Sequence, residues 1–231
     1  MIQIQNLKKS YGLTTVLDIE NITINKSEVV GLIGNNGAGK TTLFSLILDL
    51  IEPTGGTVSN CGVVVSQSEK WKQHTAAFID ESFLIGYLTP EEYFYFVGSL
   101  RQMNPADVDA FLVTYTDFFN GEILNKKKYI RDLSKGNQKK VGIIAAFMGN
   151  PELVILDEPF ANLDPTTQIR LKRVILDFSL NHHTTILISS HDLSLTVDVV
   201  SRILILDKGK LVQDAQKTEN SLQELERFFA I

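Results

Sequence analysis

The sequence predicts an α/β fold in which buried strands of a largely parallel sheet alternate with helices. Three observations predict it. Glu28-Val29-Val30-Gly31-Leu32-Ile33 is an apolar run that stops at a glycine-rich stretch, and Leu43, Leu46, Ile47, Leu50 and Ile51 then recur at helical spacing. Leu153-Val154-Ile155-Leu156 is fully apolar, as in strands buried on both faces. Thr184 to Ser190 is a further buried strand. With 231 residues, 44% hydrophobic and 21% charged, the chain can bury a real core as one large or two small domains.

Taken in order, Ile2/Ile4 and then Val16 to Ile24 read as short alternating strands, a start unlike a signal peptide. Tyr11 falls in the turn between them, as a packing aromatic or as a ring for stacking on adenine. Gly34-Asn35-Asn36-Gly37-Ala38-Gly39-Lys40-Thr41, followed by Thr42, fits the phosphate-binding loop pattern. An ordinary glycine turn has no need of Lys-Thr after its last glycine. The glycines let backbone N–H groups turn around phosphate oxygens, and a helix opening near Gly39 adds positive potential. Lys40 is expected to reach the outer phosphates of a nucleoside triphosphate and Thr41 to ligate Mg²⁺. That helix is expected to stop before Pro53. Pro53 to Gly56 is a turn, with strand-like Thr57-Val58 and Val63 to Val65 after it.

From about residue 80 to 150 the texture turns helical. Thr89-Pro90-Glu91-Glu92 is a capping box with proline at the first helical position, and Asn104-Pro105-Ala106-Asp107 opens a second helix. Tyr93 to Phe96 suits a packing surface, with a partner-binding groove as the alternative. Lys126 to Lys128 suits a solvated loop. Ser134 in Leu133-Ser134-Lys135-Gly136-Asn137 caps a helix running to Gly149, a second anion-binding N-terminus in the chain.

The strand Leu153 to Leu156 ends in Asp157 and Glu158, beside the phosphate loop, where such acids hold Mg²⁺; Asp157 is read as the metal partner. Glu158, one residue on, points elsewhere and is read as the general base for an attacking water. A surface turn carrying acids would not explain the apolar run that leads into them. Asp164 before Pro165 caps another helix. His191 stands at a strand's carboxyl end, where open α/β sheets bind ligands. His182 and His183 lie in a polar loop. Arg202 to Val212 reads as a hairpin and Ser221 to Phe229 as a last helix, with a capping box from Ser221 and Glu224.

These motifs, in this order, resemble the nucleotide-binding subunit of ATP-binding cassette (ABC) transporters over essentially the whole chain. Gly34 to Thr42 matches that family's phosphate loop, and Leu133 to Asn137 its signature, with Lys135 and Asn137 in place of Gly and Gln. Leu153 to Glu158 resembles the Walker B strand, Asn162-Leu163-Asp164 the D-loop, His191 the switch histidine and Tyr11 the adenine-stacking aromatic. The resemblance implies a phosphate-loop NTPase core with an antiparallel β arm and an inserted helical subdomain. It implies one domain over 1–231, with the core and arm in 1–79 and 151–231 and the helical part in 80–150. It implies an ATPase that binds ATP and Mg²⁺ and closes as a dimer, with a second copy or a homologous subunit, around two shared sites. Ser134 and Gly136 would complete the partner's site, and the dimer would drive a separate integral membrane permease from the cytoplasmic face. The Lys135 form of the signature is similar to that of ATPases paired with export permeases for drugs, peptides or bacteriocins.

One position departs. The family carries a glutamine shortly before the Leu-Thr that opens the helical subdomain, here Leu88-Thr89. Gln67 lies too near the phosphate loop, and counting back lands on Asp80-Glu81. An acid there can orient water but brings negative charge beside the phosphates.

Composition narrows the alternatives. A net charge of -5 gives no footprint for nucleic acid, and the single Cys61 excludes a disulfide framework. No apolar run reaches membrane-spanning length; the longest surrounds Val141 to Met148. Chromosome-structuring relatives need long heptad arms and translation-linked ones two cassettes, neither of which occurs. A cytosolic regulatory ATPase without transport shares every motif and stays as the alternative.

Overall fold

The computed structural model describes residues 1–229; the last two residues of the expected domain lie outside the described residues. Alternation governs its first strands. β1 (Ile2–Tyr11) and β2 (Thr14–Ile24) pair antiparallel, from Ile2 opposite Ile24 to Tyr11 opposite Thr14. One face buries Ile2, Ile4, Leu7, Leu17, Ile19, Ile22 and Ile24, each stabilising by ~1.5–3 kcal/mol. After β3 (Val29–Ile33) and α1 (Lys40–Ile47), β4 (Gly55–Asn60) returns beside β1 and β5 (Val63–Val64) beside β4. The resulting antiparallel arm has the order β2-β1-β4-β5.

The helix α1 is shorter than its apolar spacing suggests. Asp49 takes a left-handed conformation (φ 53) and Leu48 caps the helix, so Leu50 and Ile51 lie beyond its end and Leu50 is left exposed.

β6 (Thr75–Phe78), which the sequence reading passed over, forms the far edge of the second sheet. The helices α2 (Pro90–Leu100), α3 (Pro105–Thr114), α4 (Thr116–Phe119) and α5 (Lys135–Ala146) follow. The capping boxes at Thr89 and Asn104 form as expected. Next come β7 (Leu153–Leu156), α6 (Pro165–Asn181) capped by Asp164, and β8 (Thr185–Ser190). The chain closes with α7 (Leu193–Val197), β9 (Arg202–Asp207), β10 (Lys210–Gln216) and α8 (Ser221–Phe229). Ahead of α8 the Ser221 hydroxyl accepts from the Thr218 N–H at 2.8 Å, so it caps the incoming turn where a box with Glu224 was expected.

The second sheet runs β10-β9-β3-β8-β7-β6, parallel throughout except for the β9–β10 hairpin. Every residue of β3, β7 and β8 is buried, because helices cover one face and α1 with the arm covers the other. Phe94, Phe119 and Phe147 share one core with Val154, Leu156 and Ile188, while Phe44 and Leu46 share the other with Ile155 and Leu187. Four carboxyl ends, those of β3, β8, β7 and β6, thereby stand side by side, which is where an open α/β sheet receives a ligand.

Candidate functional site

The site begins where β3 stops. Gly34 to Gly39 loops back toward α1, and Gly39 holds φ 105, a conformation that strains residues with a Cβ. A Cβ there would also meet Leu17 Cδ1 and Val16 O of β2, each at 3.2 Å. Ala38 is buried and its N–H donates to Asn35 O at 3.1 Å, while Asn35, Asn36 and Gly37 form an exposed crest. Thr42 is half-buried behind it. No side chain caps α1, so its first N–H groups face the loop interior. Lys40 is buried and turned back on the loop, its Nζ donating to Gly34 O at 2.7 Å and Asn35 O at 3.3 Å.

The carboxyl end of β7 meets this loop. Thr41 Oγ1 donates to Asp157 Oδ2 at 2.5 Å. The Ser189 hydroxyl, from the end of β8, donates to the other oxygen of Asp157 and accepts from the Glu158 N–H at 2.8 Å. Burial pushes the Asp157 carboxyl above the usual range, against the hydrogen bonds from Ser189 and Thr41 and the charge of Lys40. Glu158 is left-handed (φ 47), and its Oε2 lies 2.9 Å from His191 Nδ1. Its Oε1 is buried without a hydrogen-bond partner, 3.4 Å from Lys40 Nζ. Such a carboxylate–imidazole pair can take and hold a proton.

Among the residues expected from sequence, Lys40, Thr41, Asp157, Glu158 and His191 therefore converge. Asp80 stands two residues past the end of β6, on the strand beside Asp157: Phe78 pairs with Leu156, and the Asp157 N–H donates to Phe78 O at 2.9 Å. The Asp80 carboxylate is spent on the Ser82 N–H at 2.6 Å, while Gln67 is exposed on a turn after the arm.

The others stand apart. Tyr11 closes the first hairpin, its ring exposed and its centroid 4.8 Å from Lys9 Nζ. Ser134 caps α5 by accepting from the Asn137 N–H at 3.3 Å. Gly136 packs where a Cβ would stand 3.0 Å from Asn162 O. Among the described residues no hydrogen bond or ion pair joins Ser134 or Gly136 to the phosphate loop. Sequence reasoning missed Ser189, whose only signal was a hydroxyl at the end of an apolar strand, two residues before His191.

The donor set fits Mg²⁺. The Thr41 hydroxyl and the Asp157 carboxylate are hard oxygen donors, which suit an ion that keeps waters and phosphate oxygens in its shell. The orphaned Glu158 Oε1 and the folded-back Lys40 likewise fit an anionic ligand with a water beside it.

Comparison with known proteins accords with this geometry. The ABC transporter family profile matches residues 17–161. The bacitracin transport ATP-binding protein BcrA of Enterococcus faecalis is 34% identical over 221 residues, spanning 95% of this chain and 70% of its own. A solved structure described as the ATP-binding subunit of an ABC transporter superposes with a TM-score of 0.85 at 28% identity, covering 100% of this chain and 93% of its own. A dimeric ATP-binding cassette in a post-hydrolysis state, bound to ADP and phosphate, shares the fold with a TM-score of 0.82 at 21% identity, over 94% of this chain and 99% of its own.

Proposed function

The chain belongs to the ABC transporter family, and from that premise we propose that two copies close head to tail around two ATP molecules and drive a separate export permease for drug- or peptide-like cargo. It is an ATPase and an ATP-binding subunit of a transporter. One observation carries the catalytic part: Lys40, Thr41, Asp157, Glu158 and His191 meet within hydrogen-bond or ion-pair reach at the carboxyl ends of three adjacent strands.

Phosphoryl transfer to water needs positioning and charge neutralisation more than covalent chemistry. Lys40 exchanges the loop carbonyls for the outer phosphates. Thr41 and Asp157 would hold Mg²⁺, which when bound would neutralise phosphate charge. His191 keeps Glu158 Oε2, so Oε1 is left to take a proton from the attacking water. Tyr11 offers its exposed ring to the adenine. Ser134 and Gly136, which make no hydrogen bond or ion pair with the phosphate loop of their own chain, face the partner's nucleotide. Dimer closure then depends on which nucleotide is bound, and that makes hydrolysis into movement.

The permease part rests on the family and on the surface of the helical part, residues 80–150. No helix among the described residues is long and apolar enough to cross a membrane. An apolar groove of about 340 Å³ between β6 and α2 is lined by Leu50, Phe78, Phe83, Tyr93, Val97 and Arg101. Phe83 and Leu100 are largely exposed beside it. We assign this groove to the permease on the cytoplasmic face of the membrane, and the description of BcrA as a bacitracin transport ATP-binding protein supports a transport role with drug- or peptide-like cargo. The experiment is to trap Glu158→Gln with ATP in its native membrane and identify what co-purifies. A membrane protein that cross-links to cysteines placed along Tyr93 to Leu100 is expected. Recovery without any membrane protein would instead favour a cytosolic regulatory ATPase.

A further inference from the structure

Lysine is rarely buried, because its charge loses hydration and its long stem loses freedom. Lys139, on the first turns of α5, is nonetheless only 6% exposed. Its Nζ donates to the Glu158 carbonyl oxygen at 2.9 Å and lies 4.0 Å from Glu81 Oε1. Burial holds its pKa below the ordinary range, while Glu81, Glu158, Asp157 and Asp80 act in the opposite sense. The ammonium thus sits between the Glu81 carboxylate and the Glu158 carbonyl, which it grips.

That carbonyl matters because of the residue that owns it. Glu158 is left-handed, a sparsely populated conformation that persists only where its surroundings hold it. Ser189 Oγ holds its N–H, while Lys139 at 2.9 Å and the Ala161 N–H at 3.2 Å share its C=O, so one peptide is fixed from β8 and the other from α5 and the turn that follows. Ser134 caps the same helix five residues earlier, about 7.5 Å along its axis.

We propose that Lys139 is a positioning residue for ATP hydrolysis. It ties the backbone of Glu158 to α5 and places a positive charge 4.0 Å from Glu81, in the stretch where the family resemblance calls for a neutral glutamine. A shift of α5 on meeting the partner's nucleotide at Ser134 is thereby passed to the base of the chain's own site. This inference rests on Glu158 being that base.

The test compares kcat, ATP affinity and melting temperature for the full chain and its Lys139→Met and Lys139→Met/Glu81→Gln variants. Lys139→Met keeps the stem and removes the charge. Its kcat is expected to fall roughly 10- to 100-fold, the scale of a small misplacement of a reacting group, with ATP affinity unchanged. Adding Glu81→Gln is expected to recover part of that loss, as coupled neighbours do. A Lys139→Met protein with the parent kcat would overturn the inference. So would a loss of kcat that runs parallel to ATP affinity and goes unrelieved by Glu81→Gln. Where Lys139→Met does not fold, Lys139→Leu, which likewise removes both the charge and the donor, is read by the same criteria. Glu158→Gln is the control. Parent-rate turnover in that variant would sink the reading of the site, whereas an inert Lys139 series beside an inactive Glu158→Gln sinks only the role given to Lys139.

Discussion

The N-termini of α1 and α2 start from the same chemistry, a set of backbone N–H groups with no partner inside the helix. At α2 the chain closes them itself. Thr89 Oγ1 accepts from the Glu92 N–H at 3.3 Å, Glu92 Oε2 accepts from the Thr89 N–H at 2.7 Å, and Glu91 and Glu92 put negative charge in the first turn. At α1 the cap is Gly39, with no side-chain acceptor and no acid in the first turn. Its first residue is a cation, Lys40, and the carboxylates near it, Asp157 and Glu158, come from the end of β7. The α5 terminus lies between the two: Ser134 caps it, yet no acid enters its first turn and Lys135 leads it. An N-terminus that only ends a helix is sealed with acids, and one that is to meet phosphate is left free of them.

Substitution at each terminus tests this difference. Lys40→Ala is expected to have the largest effect, taking nucleotide binding or ATP turnover to background in a direct assay; normal turnover would remove α1 as the anion site. Glu158→Gln is expected to leave ATP binding intact and slow hydrolysis by at least ~10²-fold, read as phosphate release. Ser134→Arg is expected to leave ATP binding to each chain unchanged while abolishing ATP-dependent dimers, since beyond the lost α5 cap, ~1 kcal/mol, it disturbs the site donated in trans. Equal dimer formation would place α5 with α2 among the merely structural termini. Thr89→Ala has the smallest expected effect, ~1 kcal/mol from the lost cap. That corresponds to a melting temperature lower by about 2–4 °C for a domain of this size, with turnover unchanged. A fall in turnover at constant stability would break the contrast from the other side.

What could be read from the chain alone was what is local. Glycine spacing before Lys40-Thr41 and an apolar strand running into Asp157-Glu158 carry their chemistry within a few residues, so these side chains were legible and their convergence followed from strand order. β6 was not legible, because Thr75 to Phe78 is short, alanine-containing and preceded by the tight turn Lys70–Gln73. Ser189 was hidden at the tail of an otherwise apolar strand. Lys139 and Lys140 have the composition of a solvated face, yet both are buried. Lys140 lies 3.5 Å from Glu122 and Lys139 4.0 Å from Glu81, partners 18 and 58 residues away that no local pattern can indicate. The charge that Asp80 and Glu81 bring to the site posed the same difficulty. Its counter-ion comes from another helix.

On the proposed reading, one chain carries a phosphate site of its own and a second helix N-terminus, capped by Ser134 and free of acids in its first turn, that serves a second chain. Light scattering of the Glu158→Gln protein, with and without ATP and Mg²⁺, tests it most directly. Slowed hydrolysis leaves ATP at the shared interface, and mass-action linkage then favours the dimer. The expected result is a dimer with ATP, a monomer without it, and a monomer in both conditions once Ser134→Arg is added. A Glu158→Gln protein that binds ATP to saturation and stays monomeric would contradict the claim.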